Sequence, residues 1–126
     1  MNNLPIIVLV LLFMLCCNKD NNTQDYRNKF LGSYYCTKTG NYYCGDSTYH
    51  YDTTEVINVT KSSDSLINIL EATLKLDLNG EFGGGLYPDP HYHLFDGYFK
   101  DDSIIFGLQD GLLGCFTRLN YKGIKL

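Results

Sequence analysis

His91 and His93 are the two residues of this chain whose types and spacing come nearest to metal chemistry. Residues two apart on an extended strand project from one face, so both imidazoles would meet the same ion or ligand. Asp89 and His50 are the further donors to consider, and no spacing fixes either as a third ligand. No metal and no other cofactor is therefore assigned, and the two histidines stand as candidate ligand-binding residues. A second constellation is aromatic: Tyr34, Tyr35, Tyr42, Tyr43, Tyr49 and Tyr51 crowd into one short stretch. Flat rings with one polar end suit a small amphipathic molecule, a sugar or a protein partner. The same residue type also simply covers the face of a sheet. Tyr34, Tyr49 and Tyr51 join the histidines as candidate binding residues.

Signatures of catalysis are missing. Gly83-Gly84-Gly85 is followed by no Lys-Ser or Lys-Thr, and no helix N-terminus follows to receive an anion, so it is not a phosphate loop. No Gly-x-Ser-x-Gly occurs, and Asp101-Asp102 reads as a solvated turn. A non-enzymatic protein is expected. With a net charge of −4 and no basic stripe, nucleic-acid binding is excluded as well.

Five cysteines divide by position. Residues 4–15 are apolar and uncharged, too short to cross a bilayer and of the length of a signal's hydrophobic region. The run stops at Cys16-Cys17, and the polar sequence NKDNNTQD follows. This reads as a bacterial lipoprotein signal over 1–16, with Cys17 lipidated because its small neighbour Cys16 suits the peptidase better than Leu15 would. Residues 17–25 then form a flexible tether and 26–126 a single domain. Of the remaining thiols, Cys36 and Cys44 flank a reversal centred on Gly40 and are expected to form a disulfide, permitted by an exported location. Cys115 is then a buried free thiol; its rival role is to bridge Cys36 between first and last strands.

The elements that must position these groups are strands. After a single helical turn at 26–30, apolar and polar residues alternate. Strands are expected at 31–38, 48–60, 65–70, 72–78, 91–99, 103–108 and 113–121, with 81–86 the least legible segment. Turns are expected at 38–46, 61–64, 79–80, 87–90, 100–102 and 109–111. Glu55 interrupts the apolar face of the second strand, which marks a bulge or a rim position. The fold class is all-β, a small antiparallel barrel or sandwich of seven to eight strands.

This layout resembles the small calycin-like, or lipocalin-like, β-barrel lipoproteins of Bacteroidetes. The resemblance is carried by the signal ending Cys17-Asn18-Lys19-Asp20, the opening Phe30-Leu31-Gly32-Ser33-Tyr34, the hairpin GYFKDDSIIF over 97–106 and the ending Tyr121-Lys122-Gly123-Ile124-Lys125. It implies a barrel held in the cell envelope, at the outer membrane, and implies no activity. In lipocalins a Gly-x-Trp on the first strand is covered by an Arg of the last. The resemblance therefore implies barrel closure by Gly32, Tyr34 in place of Trp, and Arg118. The expected function is a membrane-anchored, non-enzymatic binding module for a small amphipathic ligand, a glycan or a protein. The alternative is a structural envelope lipoprotein whose barrel is filled by its own side chains.

Overall fold

Alternation with a period of two gives every strand one apolar face, and the chain buries those faces by rolling its sheet into a closed barrel. The computed structural model describes residues 24–86, 92–112 and 114–126. A short 3₁₀ helix, Tyr26–Lys29, leads into eight strands: β1 Gly32–Cys44, β2 Ser47–Lys61, β3 Leu66–Ile69, β4 Ala72–Leu76, β5 Glu81–Leu86, β6 Tyr92–Lys100, β7 Ser103–Leu112 and β8 Cys115–Lys125. Each strand pairs antiparallel with its sequence neighbours, and β1 pairs with β8 to close the ring. This up-and-down barrel of eight strands is compatible with a calycin-like fold.

Two expected turns are strand instead. β1 runs unbroken through Gly40 to Cys44, and β7 runs through Gly111 to Leu112. Gly40 lies where the backbone carbonyl of Arg118 crowds β1, and a side chain on Gly111 would meet Phe116 of β8. Both glycines serve close approach of a neighbouring strand rather than reversal. The β1–β2 reversal falls later, at Gly45, whose φ of +57° suits glycine. The three successive glycines of β5 mark a bulge, where the register against β4 shifts between Thr73 and Lys75.

The barrel is lopsided. β1, β2, β7 and β8 are long, whereas β3 and β4 are short, and β2 pairs with β3 only over Val59–Lys61. Most of β2 therefore rises above its short neighbour as a tall wall. Below that wall the interior is filled. Tyr34, Ile57, Ile67, Ile69, Leu74, Leu76 and Ile104 are fully buried, and they belong to one cluster with six further aromatic rings. Phe106 lies parallel to Tyr121 at 4.4 Å and to Phe95 at 5.1 Å, with Phe82 and Phe99 beside them. Leu74 and Leu76 point inward as their alternation requires, but Leu78 has left the strand and is exposed.

The base is sealed by the incoming chain. Arg27 is buried, forks onto both oxygens of Asp25 and donates to the Leu66 carbonyl at 2.9 Å. Lys61 completes the cluster with a 2.9 Å ion pair to Asp25. Hydrogen bonds from Arg27 first, and then from Lys61, hold the Asp25 carboxyl well below the usual carboxylate range, and Asp25 in turn raises Arg27. A carboxyl whose pKa is lower folded than unfolded adds stability above its unfolded value, near pH 4. That stability is lost as pH falls toward the folded value. Denaturant melts between pH 2 and pH 7 should accordingly show stability falling below about pH 4. In Asp25→Asn that acid slope should flatten and the neutral-pH stability should drop.

Candidate functional site

The end of the barrel opposite the base carries the residues that do not belong in a simple core. Direct cross-strand partners share a face, so the inward row of β1 can be followed upward past the buried Tyr34 and Cys36. Cys36 is paired with Glu55, Lys38 with Thr53 and Tyr121, Gly40 with Tyr51, and Tyr42 with Tyr49. On β1 and β2 the apolar floor ends at Cys36 and Ile57 and a polar storey begins directly above it, while on β7 and β8 the buried Leu108 and Leu119 carry the apolar wall one step higher.

That storey is built around one ion pair. Lys38 Nζ lies 3.3 Å from Glu55 Oε1, both groups facing the barrel axis. The ammonium also sits over two ring faces, 5.6 Å from the centre of Tyr51 and 5.8 Å from that of Tyr121. Contacts of this kind contribute about 0.5–1 kcal/mol each when partly hydrated. Glu55 Oε1 is buried, and beyond the ion pair it accepts no hydrogen bond. Leaving a buried acceptor unmet costs about 1–3 kcal/mol. Tyr49 stands edge-on to Tyr51 at 5.0 Å and is largely exposed, so the tall wall of β2 presents a tyrosine collar above the charges.

The expected residues distribute unevenly over this geometry. Tyr49 and Tyr51 line the mouth. Tyr34 does not: it is buried at the base, its hydroxyl donates to the Phe30 carbonyl at 2.8 Å, and burial pushes its pKa up to about 12. His91 lies outside the described residues, as do Asp89 and Cys17. His93 is placed only by its strand, where the β6–β7 register shifts between Tyr92 and Leu94. His50 is on the outer face, within 2.9 Å of Asn41 Oδ1. Lys38 and Glu55 were the residues that sequence reasoning passed over as a pair. The one visible signal was a carboxylate on an otherwise apolar strand face.

Two expectations are corrected. Arg118 does not cover Tyr34: it is opposite Asn41 near the mouth, is exposed, and donates to Gln109 on the outer face. Closure of the base falls to Arg27, from the other end of the chain, with Gly32 turning the chain into β1 beneath the Lys125 side chain. The disulfide joins Cys44 to Cys115, not Cys36 to Cys44. Because β1 does not reverse at Gly40, Cys36 and Cys44 are eight positions apart along one straight strand and cannot meet. Cys44 is instead the direct partner of Cys115 across the β1–β8 seam.

Cys36 is the free thiol, fully buried below Glu55. Burial, and secondarily the Glu55 carboxylate, push its pKa up to about 11. A chain spanning 24–126 should therefore resist iodoacetamide at pH 8 while folded. Denatured without reductant it should take one label, at Cys36; a label at Cys44 or Cys115 would contradict the pairing. Against protein-family models, curated proteins and solved structures the chain finds no match.

Proposed function

We propose that the protein is a membrane-anchored, non-enzymatic binding module that takes a small amphipathic molecule into the barrel mouth. The observation that carries this reading is the Lys38–Glu55 pair, with Glu55 Oε1 buried and lacking a hydrogen bond. Inward charges above an apolar floor are costly to keep dry, and a ligand that donates to Glu55 removes that cost. The ligand's apolar part would pack on Tyr51 and Tyr49.

The anchor belongs to the same reading. Acylation at Cys17 would hold the chain at the outer membrane of a bacterial envelope, as in the Bacteroidetes barrel lipoproteins it resembles. The chain reaches the barrel at Asp25, beside the sealed base, so the mouth would face away from the lipid. Metabolic labelling with an acyl probe should tag the wild type, and Cys17→Ala should abolish the tag. The densely filled lower barrel favours a second reading, a structural envelope lipoprotein without ligand.

Displacement of a bound anilinonaphthalene sulfonate by a fatty alcohol, amine and acid of equal chain length separates the two. The alcohol and amine donate to Glu55 and should compete at least tenfold better than the acid. The double variant Lys38→Met/Glu55→Leu should lose this discrimination while remaining as stable as the wild type, because a partly buried pair contributes only about 0–1 kcal/mol. Equal displacement by all three probes, unchanged in the variant, would favour the filled structural barrel.

A further inference from the structure

The outer wall carries a second constellation, unrelated to the mouth. Cross-strand pairing aligns two outward rows over β5, β6, β7, β8 and β1. One reads Glu81, Tyr98, Ile105, Lys122, Thr37; the other reads Gly83, Asp96, Gly107, Asn120, Thr39. Four strand-to-strand steps make each row about 19 Å long. The second row has a glycine on each side of Asp96, so the wall is indented twice where side chains would otherwise stand. One groove, of about 640 Å³, is floored by Gly107 and bounded by Tyr98, Ile105, Asn120 and Lys122. The other, of about 520 Å³, lies across Gly83 between Lys75, Glu81 and Asp96. Tyr98 and Asp96 form the ridge between them and line both.

We infer that this double groove is a binding site for a neutral oligosaccharide laid across the strands, with one sugar ring on Tyr98. Tyr98 is 43% exposed, and its flat face can take the C–H side of a pyranose as it takes other apolar surfaces. Lys75, Glu81, Asp96 and Lys122 make no side-chain hydrogen bond or ion pair among the described residues, so their donors and acceptors are uncommitted. Asp77, Glu81 and Asp96 bear three negative charges, Lys75 and Lys122 two positive ones. The small negative excess disfavours an acidic sugar, and the site presents donors and acceptors together, which matches hydroxyl groups that both give and accept. A peptide would be recognised differently, by pairing along a free strand edge. These grooves cross the middle of paired strands.

The test is capture of the full chain on an immobilised panel of neutral tetra- to hexasaccharides of glucose, mannose and galactose, followed by calorimetry on any sugar retained. Wild type should bind at least one member. Tyr98→Ala should weaken that binding at least tenfold, and Tyr98→Phe, which keeps the ring, should stay within threefold of wild type. Gly107→Val should also abolish it by filling the groove, and it should fold. A Cβ there meets only Asn120 Oδ1 at 3.8 Å and the Leu119 carbonyl at 3.9 Å, which are ordinary contacts. Lys38→Met/Glu55→Leu should leave sugar capture unchanged, which keeps this site distinct from the mouth. Absence of capture by the wild type, or capture that survives both Tyr98→Ala and Gly107→Val, overturns the inference. So does concentration-dependent dimerisation abolished by Tyr98→Ala, since the ridge would then be a contact between copies of the chain.

Discussion

Replacing both Cys44 and Cys115 by serine should cost about 4 kcal/mol of stability. The bridge closes a loop with a sequence separation of 71, so it removes much more unfolded-chain entropy than a bridge across one hairpin would. It also sits at the mouth end of the β1–β8 seam, where Cys115 opens the last strand. Among the described residues that seam is the only pairing between strands distant in sequence. For a domain of this size each kcal/mol moves Tm by about 4–8 °C, so the variant should melt roughly 15–30 °C lower. Thermal melts with and without reductant check this. Wild type in reductant should match the serine variant, and the serine variant should ignore reductant. Cys36→Ser should not produce a comparable reductant-insensitive protein, because Cys36 is not in the bridge.

Phe106→Ala should come next, at about 3–5 kcal/mol. The ring is buried between Tyr121 and Phe95, nearly parallel to both at 8° and 7°, and tilts against Phe82. Gly97 on β6 lies directly opposite, and its missing side chain is the space in which the Phe106 and Phe82 side chains pack. The backbone there cannot follow a deleted ring inward without breaking strand pairing, so the cavity would persist. The outward neighbour Tyr98 is the control. Tyr98→Ala removes a ring of similar size from the barrel's exterior and should change stability by no more than about 0.5 kcal/mol. Urea denaturation of the two variants in parallel measures the contrast.

Strand identity was legible because burial on one face enforces alternation. Ile104, Phe106 and Leu108, and likewise Ile57 and Val59, face the core as their spacing required. Reversals were legible where the turn residues do one job, as at Asn79-Gly80, where Asp77 Oδ1 accepts from the backbone of Asn79 and Glu81. They were misread at Gly40 and Gly111, since a glycine that admits a neighbouring backbone looks, in sequence, like a glycine that turns. The disulfide followed from that misreading: once β1 was cut at Gly40, Cys36 and Cys44 looked opposed. Which Arg closes the base could not be read either, because Arg27 acts through a local fork on Asp25 and through a carbonyl 39 positions away. Glu55 stood out only as a carboxylate interrupting an apolar face, which marks a bulge or a rim position. Its meaning depends on Lys38, whose direct partner is Thr53, so the two charges meet on a diagonal two positions off the cross-strand register.

The proposed ligand site at the mouth, built on Lys38 and Glu55, can be tested on the protein as its own cells make it. Its most direct test is native mass spectrometry of the chain purified from its own membrane, beside Lys38→Met/Glu55→Leu expressed and purified identically. A non-covalent adduct of a few hundred daltons is expected on the wild type, retained at low collision energy and missing from the variant. A wild type that flies bare, or an adduct carried equally by both proteins, would contradict it.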